Sequence, residues 1–311
     1  MNKNKIKKTT KVRIKKEIWR HRELYLLLIP GLIALFIFYY MPMYGVLMAF
    51  QDVKIGTAIM QNDWVGLYHF KRFFRSAWFT TVIKNTVSIS FILVGLTWPF
   101  PLVLALLLHN TKRKRLKKIT QTATYLPYLL STVIVVSIIN VFCAGDYGLI
   151  NIILRNAGME KINFFGSSDW VYPLYVISHV WQATGYAAVI YIGALSSVDN
   201  SLMEAAKIDG ASLLKCIWHI QIPTILPTIC TMLILSIGNM FSLGADKMIL
   251  MQTPLNLESS EIISTYVYKV GFADLQYGFS TAVGLFQNIV NLIMLVVVNK
   301  ISKKLSGTAI V

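Results

Sequence analysis

The stretch Glu204–Pro223 reads EAAKIDGASLLKCIWHIQIP and lies between two long apolar runs of the chain. Just before it, Ser201 and Glu204 have the spacing of a capping box, which predicts Ser201 as the N-cap of a short helix. Asp209-Gly210 then forms a strong turn pair, because glycine readily adopts a positive φ. The stretch therefore predicts a capped helix followed by a tight turn.

A second short helix is predicted after the turn, with Ser212 as its cap. This helix should carry its apolar residues toward the following span: Leu213, Leu214, Ile217 and Trp218. Pro223 and Pro227 mark the entry into that span. A connection of two capped helices is suited to docking another protein, although it also fits an ordinary loop in which Glu204 serves only its own helix.

Composition indicates a membrane protein. Of 311 residues, 55% are hydrophobic and 14% are charged, and the mean hydropathy is +0.58. A soluble domain carries roughly 25% charged residues. The chain cannot cover a globular surface with water-facing groups, so lipid is the expected solvent.

Six stretches without Asp, Glu, Lys or Arg exceed the roughly 20 residues that cross a bilayer as a helix. They are Leu24–Phe50, Asn85–Leu108, Ile119–Gly145, Trp170–Val198, Ile220–Ala245 and Leu275–Asn299. The predicted fold is an all-α polytopic membrane protein with six transmembrane helices. Its membrane domain covers residues 25–299, between tails at 1–24 and 300–311, and contains the loop at 199–223.

The basic residues predict the orientation. The net charge is +16, and ten Lys and Arg lie in residues 1–22 and six in 112–118. Alternate connections carry 21 Lys and Arg on one side of the membrane and 8 on the other, and the heavier side is expected in the cytoplasm. Both termini and Glu204–Pro223 are then cytoplasmic. The two basic clusters, at 1–22 and 112–118, fit lipid head groups better than nucleic acid, for which no recognition motif is present. The outer connections are 51–81, 143–169 and 242–278.

The sequence lacks the usual signals of an autonomous motor. It has no G-x-x-x-x-G-K-[ST] phosphate loop, and its cysteines and histidines lack metal-ligand spacing. His179 lies within a predicted span, where it fits a functional role or a packing role equally well. A transporter of this composition would need a separate motor. An ion-coupled secondary carrier and a non-transporting scaffold subunit remain as alternatives.

The pattern E-A-A, three residues, G, nine residues, I-x-x-P occurs as Glu204-Ala205-Ala206, Gly210, Ile220 and Pro223. It resembles the EAA signature of permease subunits from binding-protein-dependent ATP-binding-cassette (ABC) importers, with Ile222 where the family usually has Leu. Other short motifs are similar to the sugar-permease branch, especially to permeases for oligosaccharides and polysaccharide fragments. These motifs are Leu28-Ile29-Pro30, Trp64-Val65-Gly66-Leu67, Asn85-Thr86 and Tyr125-Leu126-Pro127.

The resemblance implies a type I ABC importer permease fold in a bacterial cell membrane. It implies a second six-helix permease, a cytoplasmic ABC ATPase dimer and an extracellular solute-binding protein as partners. The chain itself would have no catalytic site, metal site or cofactor, and ATP-Mg would bind the ATPase. The implied coupling residues are Glu204, Ala205, Ala206, Asp209, Gly210 and Pro223.

An oligosaccharide needs flat apolar faces and hydroxyl partners together. Tyr186 lies eighteen residues before Glu204, which is the place of a substrate-contacting tyrosine in the related maltose-type permease. The predicted substrate contacts are Trp181, Gln182, Tyr186, Ser236, Asn239 and Gln287. Polar groups within spans also join helices, so a structural role for each of them remains open.

Overall fold

The computed structural model describes residues 19–306, so only residues 1–18 and 307–311 of the predicted tails, at 1–24 and 300–311, lie outside the described residues. The described chain is mainly helical, because apolar segments in lipid must satisfy their own backbone hydrogen bonds. A small antiparallel ladder joins strand β1 (Gln51–Asp52) to β2 (Asp63–Trp64), with Gln51 opposite Trp64.

The α-helices begin with a long N-terminal helix, which continues beyond α1 through a π segment at Phe36–Tyr40 and a 3₁₀ segment at Met41–Phe50. In chain order they are α1 (Arg22–Leu35), α2 (Tyr68–Phe74), α3 (Phe79–Thr97), α4 (Pro99–Asn110), α5 (Lys114–Tyr125), α6 (Thr132–Cys143), α7 (Leu149–Asn156), α8 (Ser168–Leu195), α9 (Asn200–Ile208), α10 (Leu213–Cys216), α11 (Ile222–Gly238), α12 (Ala245–Met251), α13 (Leu257–Ser260), α14 (Ile263–Tyr268) and α15 (Tyr277–Ser306).

Within residues 19–306, four helical segments are long and apolar enough to cross a membrane, or five if one bent pair counts as a span. The six predicted spans are therefore reproduced only in part. Helix α8, at 28 residues, is long enough to cross but is not one of the four or five, and its polar side chains reduce its hydropathy. The four segments are Arg22–Phe50, Phe79–Asn110, Leu213–Gly238 and Tyr277–Lys300.

The bent pair occupies the predicted third span, Ile119–Gly145. Residues Lys114–Leu129 and α6 meet at 103°, so this span is not one straight helix. Ser131 adopts an extended conformation there and accepts a hydrogen bond from the amide of Ile134 at 3.4 Å, so it starts a new helix instead of continuing the first.

One end of the molecule holds the 111–118 connection and the helices α9 and α10. The ends of α4 and α8 pack there with α11 in a common apolar cluster. Asn110 and the fully buried Gln221 exchange two side-chain hydrogen bonds of 2.9 Å across it. The two connections predicted to face the cytoplasm thus lie at the same end.

The opposite end joins the connections predicted to face outward. Asn85 donates to the carbonyls of Glu258 and Glu261 at 2.8 and 2.9 Å and accepts from the Tyr172 hydroxyl at 2.7 Å. Thr253 also donates to the Phe165 carbonyl at 2.9 Å. These bonds fix the starts of α3 and α8 against the segment that precedes α14.

Candidate coupling segment and substrate cavity

Helix α9 is capped by Asp199. Its carboxylate accepts a hydrogen bond from the amide of Ser201 at 2.8 Å, and this bond holds the pKa of Asp199 below its usual value. The prediction of Ser201 as N-cap is wrong, because the helix begins at Asn200 and Ser201 already lies inside it. Asp199 has the extended backbone that an N-cap requires.

The predicted turn after α9 is present at Gly210, whose φ is +79°. The amide of Ala211 donates to the carbonyl of Ala206 at 2.8 Å, and that of Gly210 donates to Lys207 at 3.1 Å. This is the bonding of a helix end that favours glycine in the left-handed conformation. The predicted Ser212 cap is also present, since its hydroxyl accepts from the Lys215 amide at 3.4 Å.

The segment from α9 to α10 has one buried face and one exposed face. Met203 and Cys216 are buried in the apolar cluster, and Ala206 packs against it. The coupling candidates Glu204, Ala205, Asp209, Gly210 and Pro223 are exposed.

Large apolar residues share that exposed face, which differs from the prediction that Leu213, Leu214 and Trp218 point toward the span. They are 50%, 69% and 66% exposed, and Ile208 is 86% exposed, whereas Cys216 and Ile217 contact the core instead. An exposed apolar patch with acidic residues beside it is typical of a protein-binding surface.

Ser236 and Asn239 line one cavity of 230 Å³ where α11 ends. The cavity lies between this helix end, α3 and α8, and Tyr175 and His179 contribute to its wall from α8. Asn239 also donates to the Leu235 carbonyl at 3.3 Å. The two predicted contacts thus share a space that carries hydroxyl, amide and aromatic groups.

Gln287, the predicted contact on α15, does not line this cavity. It is 8% exposed and donates from α15 to the carbonyl of Phe241. Its neighbour Asn291 accepts from the Phe241 amide at 3.1 Å and donates to Ser242 at 3.0 Å. Together they clamp the non-helical segment 239–244, which forms part of the cavity wall. The geometry therefore gives Gln287 a positioning contact with Phe241, and its role as a substrate contact stays a prediction.

Gln182 and Tyr186 continue the same face of α8 beyond His179, at intervals of three and four residues. Tyr186 is 53% exposed and stacks on Tyr128 with ring centroids 4.0 Å apart. Gln182 donates to the Leu130 carbonyl at 3.0 Å. The bend before α6 therefore adds a flat aromatic surface to this face.

Trp181 is not part of this group. It lies on another face of α8 and lines two cavities of 430 and 580 Å³ whose walls are almost entirely apolar. These surfaces suit lipid or a neighbouring helix better than the hydroxyl groups of a sugar.

Three polar residues near the predicted contacts were not predicted from the sequence, and only Ser90 of these lines the cavity. Tyr128 pairs with Tyr186, and the fully buried Ser90 lines the cavity with a hydroxyl that has no partner. Lys247 on α12 is 6% exposed, and burial lowers its pKa to about 8. The proline beside Tyr128 is a sequence signal for the bend, but nothing in the sequence around Lys247 indicates burial.

Residues 99–307 match the family described as binding-protein-dependent transport system inner membrane component. The chain belongs to this family. It is 40% identical over 298 residues to the polygalacturonan/rhamnogalacturonan transport system permease protein YteP of Bacillus subtilis (strain 168), which covers 96% of this chain and 93% of YteP. It is also 40% identical over 285 residues to Protein LplB of the same organism, over 92% of this chain and 90% of LplB.

Two solved structures share the fold. One is a bacterial ABC transporter that imports the acidic polysaccharide alginate, with a TM-score of 0.86 and 33% identity over 94% of this chain and 99% of that one. The other is a bacterial alginate ABC transporter in complex with a periplasmic protein that holds an alginate pentasaccharide. Its TM-score is 0.87 at 32% identity, over 96% of this chain and 100% of that one.

These findings confirm the predicted ABC importer permease and its location in the membrane. The protein is a transport subunit and not an enzyme, and ATP hydrolysis belongs to a separate subunit. Family membership decides against the secondary carrier and the scaffold. The named relatives also agree with the predicted sugar-permease branch.

Proposed function

We propose that this chain forms half of the translocation pathway of an importer for oligosaccharides derived from polysaccharides. The observation that carries the proposal is the likeness, over 96% of this chain, to a transporter crystallised with an oligosaccharide-loaded periplasmic protein. The cavity at Ser236 and Asn239 supports it, since it combines an amide, hydroxyl groups and an aromatic wall.

The assembly we propose contains a second six-helix permease and an external solute-binding protein that delivers the sugar. The chain would cross the membrane six times, with both termini in the cytoplasm. The exposed face of α9 and α10 then meets a cytoplasmic ATPase dimer, which binds ATP-Mg. Ile208, Leu214 and Trp218 would insert into a groove on the ATPase, and Glu204 and Asp209 would meet basic groups at its rim.

The substrate contacts we propose for this chain are Tyr186, Gln182, Ser236 and Asn239. Tyr186 and Tyr128 would present a stacking face to a sugar ring. Asn239 would hydrogen-bond to hydroxyl groups. Gln287 would act through its bond to Phe241, by holding the segment that carries Asn239.

The test is ATP hydrolysis by the reconstituted complex in the presence of the binding protein and polysaccharide fragments. We expect fragments to stimulate hydrolysis in the wild type. Asn239→Ala should require about ten- to hundredfold more substrate, the range for one hydrogen bond lost in a dry site. Asn156→Ala, on the exposed end of α7, is the matched control and should leave the response unchanged. No stimulation by any oligosaccharide would contradict the proposed function.

A further inference from the structure

Lys247 is a buried cation without a counter-charge. It is 6% exposed, its ammonium group has no hydrogen-bond partner, and no carboxylate among residues 19–306 lies within 4 Å of it. Its neighbour Asp246 is exposed. Burying an ammonium group is costly unless it gains an anion or hydrogen bonds in return. The Tyr175 ring faces this charge, but no anion among residues 19–306 balances it.

The charge lies beside the cavity that holds the proposed substrate contacts. The Lys247 nitrogen is 5.4 Å from the centre of the Tyr175 ring, and Tyr175 stacks with His179 at 6.3 Å. Both rings line the cavity with Ser236 and Asn239. Lys247 does not line the cavity itself, so its ammonium group would have to move past the Tyr175 ring to reach a ligand there.

The cavity itself contains an unsatisfied group, the hydroxyl of Ser90. A cation, a free hydroxyl and the Asn239 amide together complement a carboxylate that is attached to a polyhydroxylated ring. A neutral sugar could satisfy the hydroxyl and the amide but would leave the ammonium group unpaired. The volume of 230 Å³ is below the roughly 300 Å³ of common ligand pockets, so it suits one sugar unit of a chain.

We propose that Lys247 is a specificity-determining residue that binds the carboxylate of a uronic acid unit, so that the transported oligosaccharides are acidic. This inference rests on the proposed function and narrows its substrate class. The lysine would form a charge-assisted hydrogen bond to the carboxylate, and Ser90 and Asn239 would bind hydroxyl groups of the same unit.

The experiment measures binding to the purified complete complex without the external binding protein, whose own preference would otherwise mask that of the permease. The probes are trisaccharides of galacturonate and of mannuronate, each with its neutral methyl ester. We expect the wild type to bind at least one free acid about tenfold or more tightly than its ester. Equal affinity for acids and esters would overturn the carboxylate site but not oligosaccharide import. Binding of neither form would count against the proposed function itself, and so against both.

Variants test whether the tighter binding of the free acids comes from Lys247. Lys247→Met should lower affinity for the acid about ten- to hundredfold and change affinity for the ester less than about threefold. Lys247→Arg should retain most of the preference for the acid. Lys161→Met removes a cation from an exposed ion pair with Asp146 and should change neither affinity.

Two results with these variants would overturn the assignment. One is an equal loss for acid and ester in Lys247→Met. The other is failure of Lys247→Met to assemble with the second permease, which would indicate that a carboxylate of that subunit neutralises the lysine. In the second case the comparison of acid with ester in the wild type would also be expected to show no preference.

Discussion

Asn110 and Gln221 show how single residues fix the segment from α9 to α10 to the membrane domain. Each amide group donates to the other at 2.9 Å, and Gln221 is fully buried. The pair joins the end of α4 to the π segment Ile217–Gln221. A displacement of the segment from α9 to α10 would therefore be transmitted directly to α4 and, through the π segment, to α11.

We expect Gln221→Leu to destabilise the protein by about 1–3 kcal/mol, because the side-chain oxygen of Asn110 loses its donor, although the amide nitrogen still donates to the Leu106 carbonyl. The double variant Asn110→Leu/Gln221→Leu should recover part of this loss, since neither amide is then left unpaired. Thermal unfolding of the purified complex measures both. The single variant Asn110→Leu completes the comparison, and if the loss in the double variant equals the sum of the two single losses, the pair is not coupled in the way the distances indicate.

At the scale of elements, α8 packs closely on α5 through a glycine. A Cβ atom on Gly185 would lie 1.9 Å from the Thr124 carbonyl oxygen, so the two backbones could not keep their present separation. Gly193 lies on the same helix and has open space around it. The two positions differ in packing and not in helix propensity.

Gly185→Ala should therefore destabilise the packing of α5 on α8 by about 1–3 kcal/mol or more. Gly193→Ala should be neutral or slightly stabilising, because alanine favours a helix. The yield and melting temperature of detergent-solubilised protein report the difference. Similar values for the two variants would mean that this contact does not hold the helices together.

The turn between α9 and α10 gives a second test at this scale. Gly210 has φ of +79° and open space for a Cβ, and Gly56 in the outer connection has φ of +86° and open space as well. Alanine at either position would cost about 1–2 kcal/mol of backbone strain. Only Gly210→Ala should also weaken co-purification of the ATPase and substrate-stimulated hydrolysis. Equal effects of the two substitutions on hydrolysis would argue against a coupling role for this turn.

The sequence predicted six spans, and four of them coincide with helical segments that are long and apolar enough to cross a membrane, because an apolar run in lipid has few alternatives to a helix. It also predicted the turn at Gly210 and the cap at Ser212, which depend on neighbouring residues alone. It did not predict the 103° bend before α6, the exposure of Trp218 or the place of Gln287. Contacts between distant segments decide the exposure of Trp218, the place of Gln287 and the burial of Lys247, whereas the bend has local signals in Pro127 and Ser131.

For the whole molecule, hydrogen bonds at the two ends agree with the predicted alternation of connections. The Asn110–Gln221 pair joins the two connections predicted to be cytoplasmic, and Asn85 joins the start of α8 and the outer connection 242–278 to α3. We expect single cysteines at Gly56 and Lys207, in a variant that lacks the natural cysteines, to react from opposite sides. Reaction of both with an impermeant thiol reagent added outside intact cells would refute this orientation.

We expect this chain to move oligosaccharides only when a separate ATPase drives it. Uptake of labelled acidic oligosaccharides into proteoliposomes that contain both permeases and the ATPase tests this claim most directly. We predict accumulation when the loaded binding protein is outside and ATP-Mg is at the face bearing α9 and α10, and none without ATP or without the ATPase subunit. Accumulation by the permeases alone, driven by a proton or sodium gradient, would contradict the account.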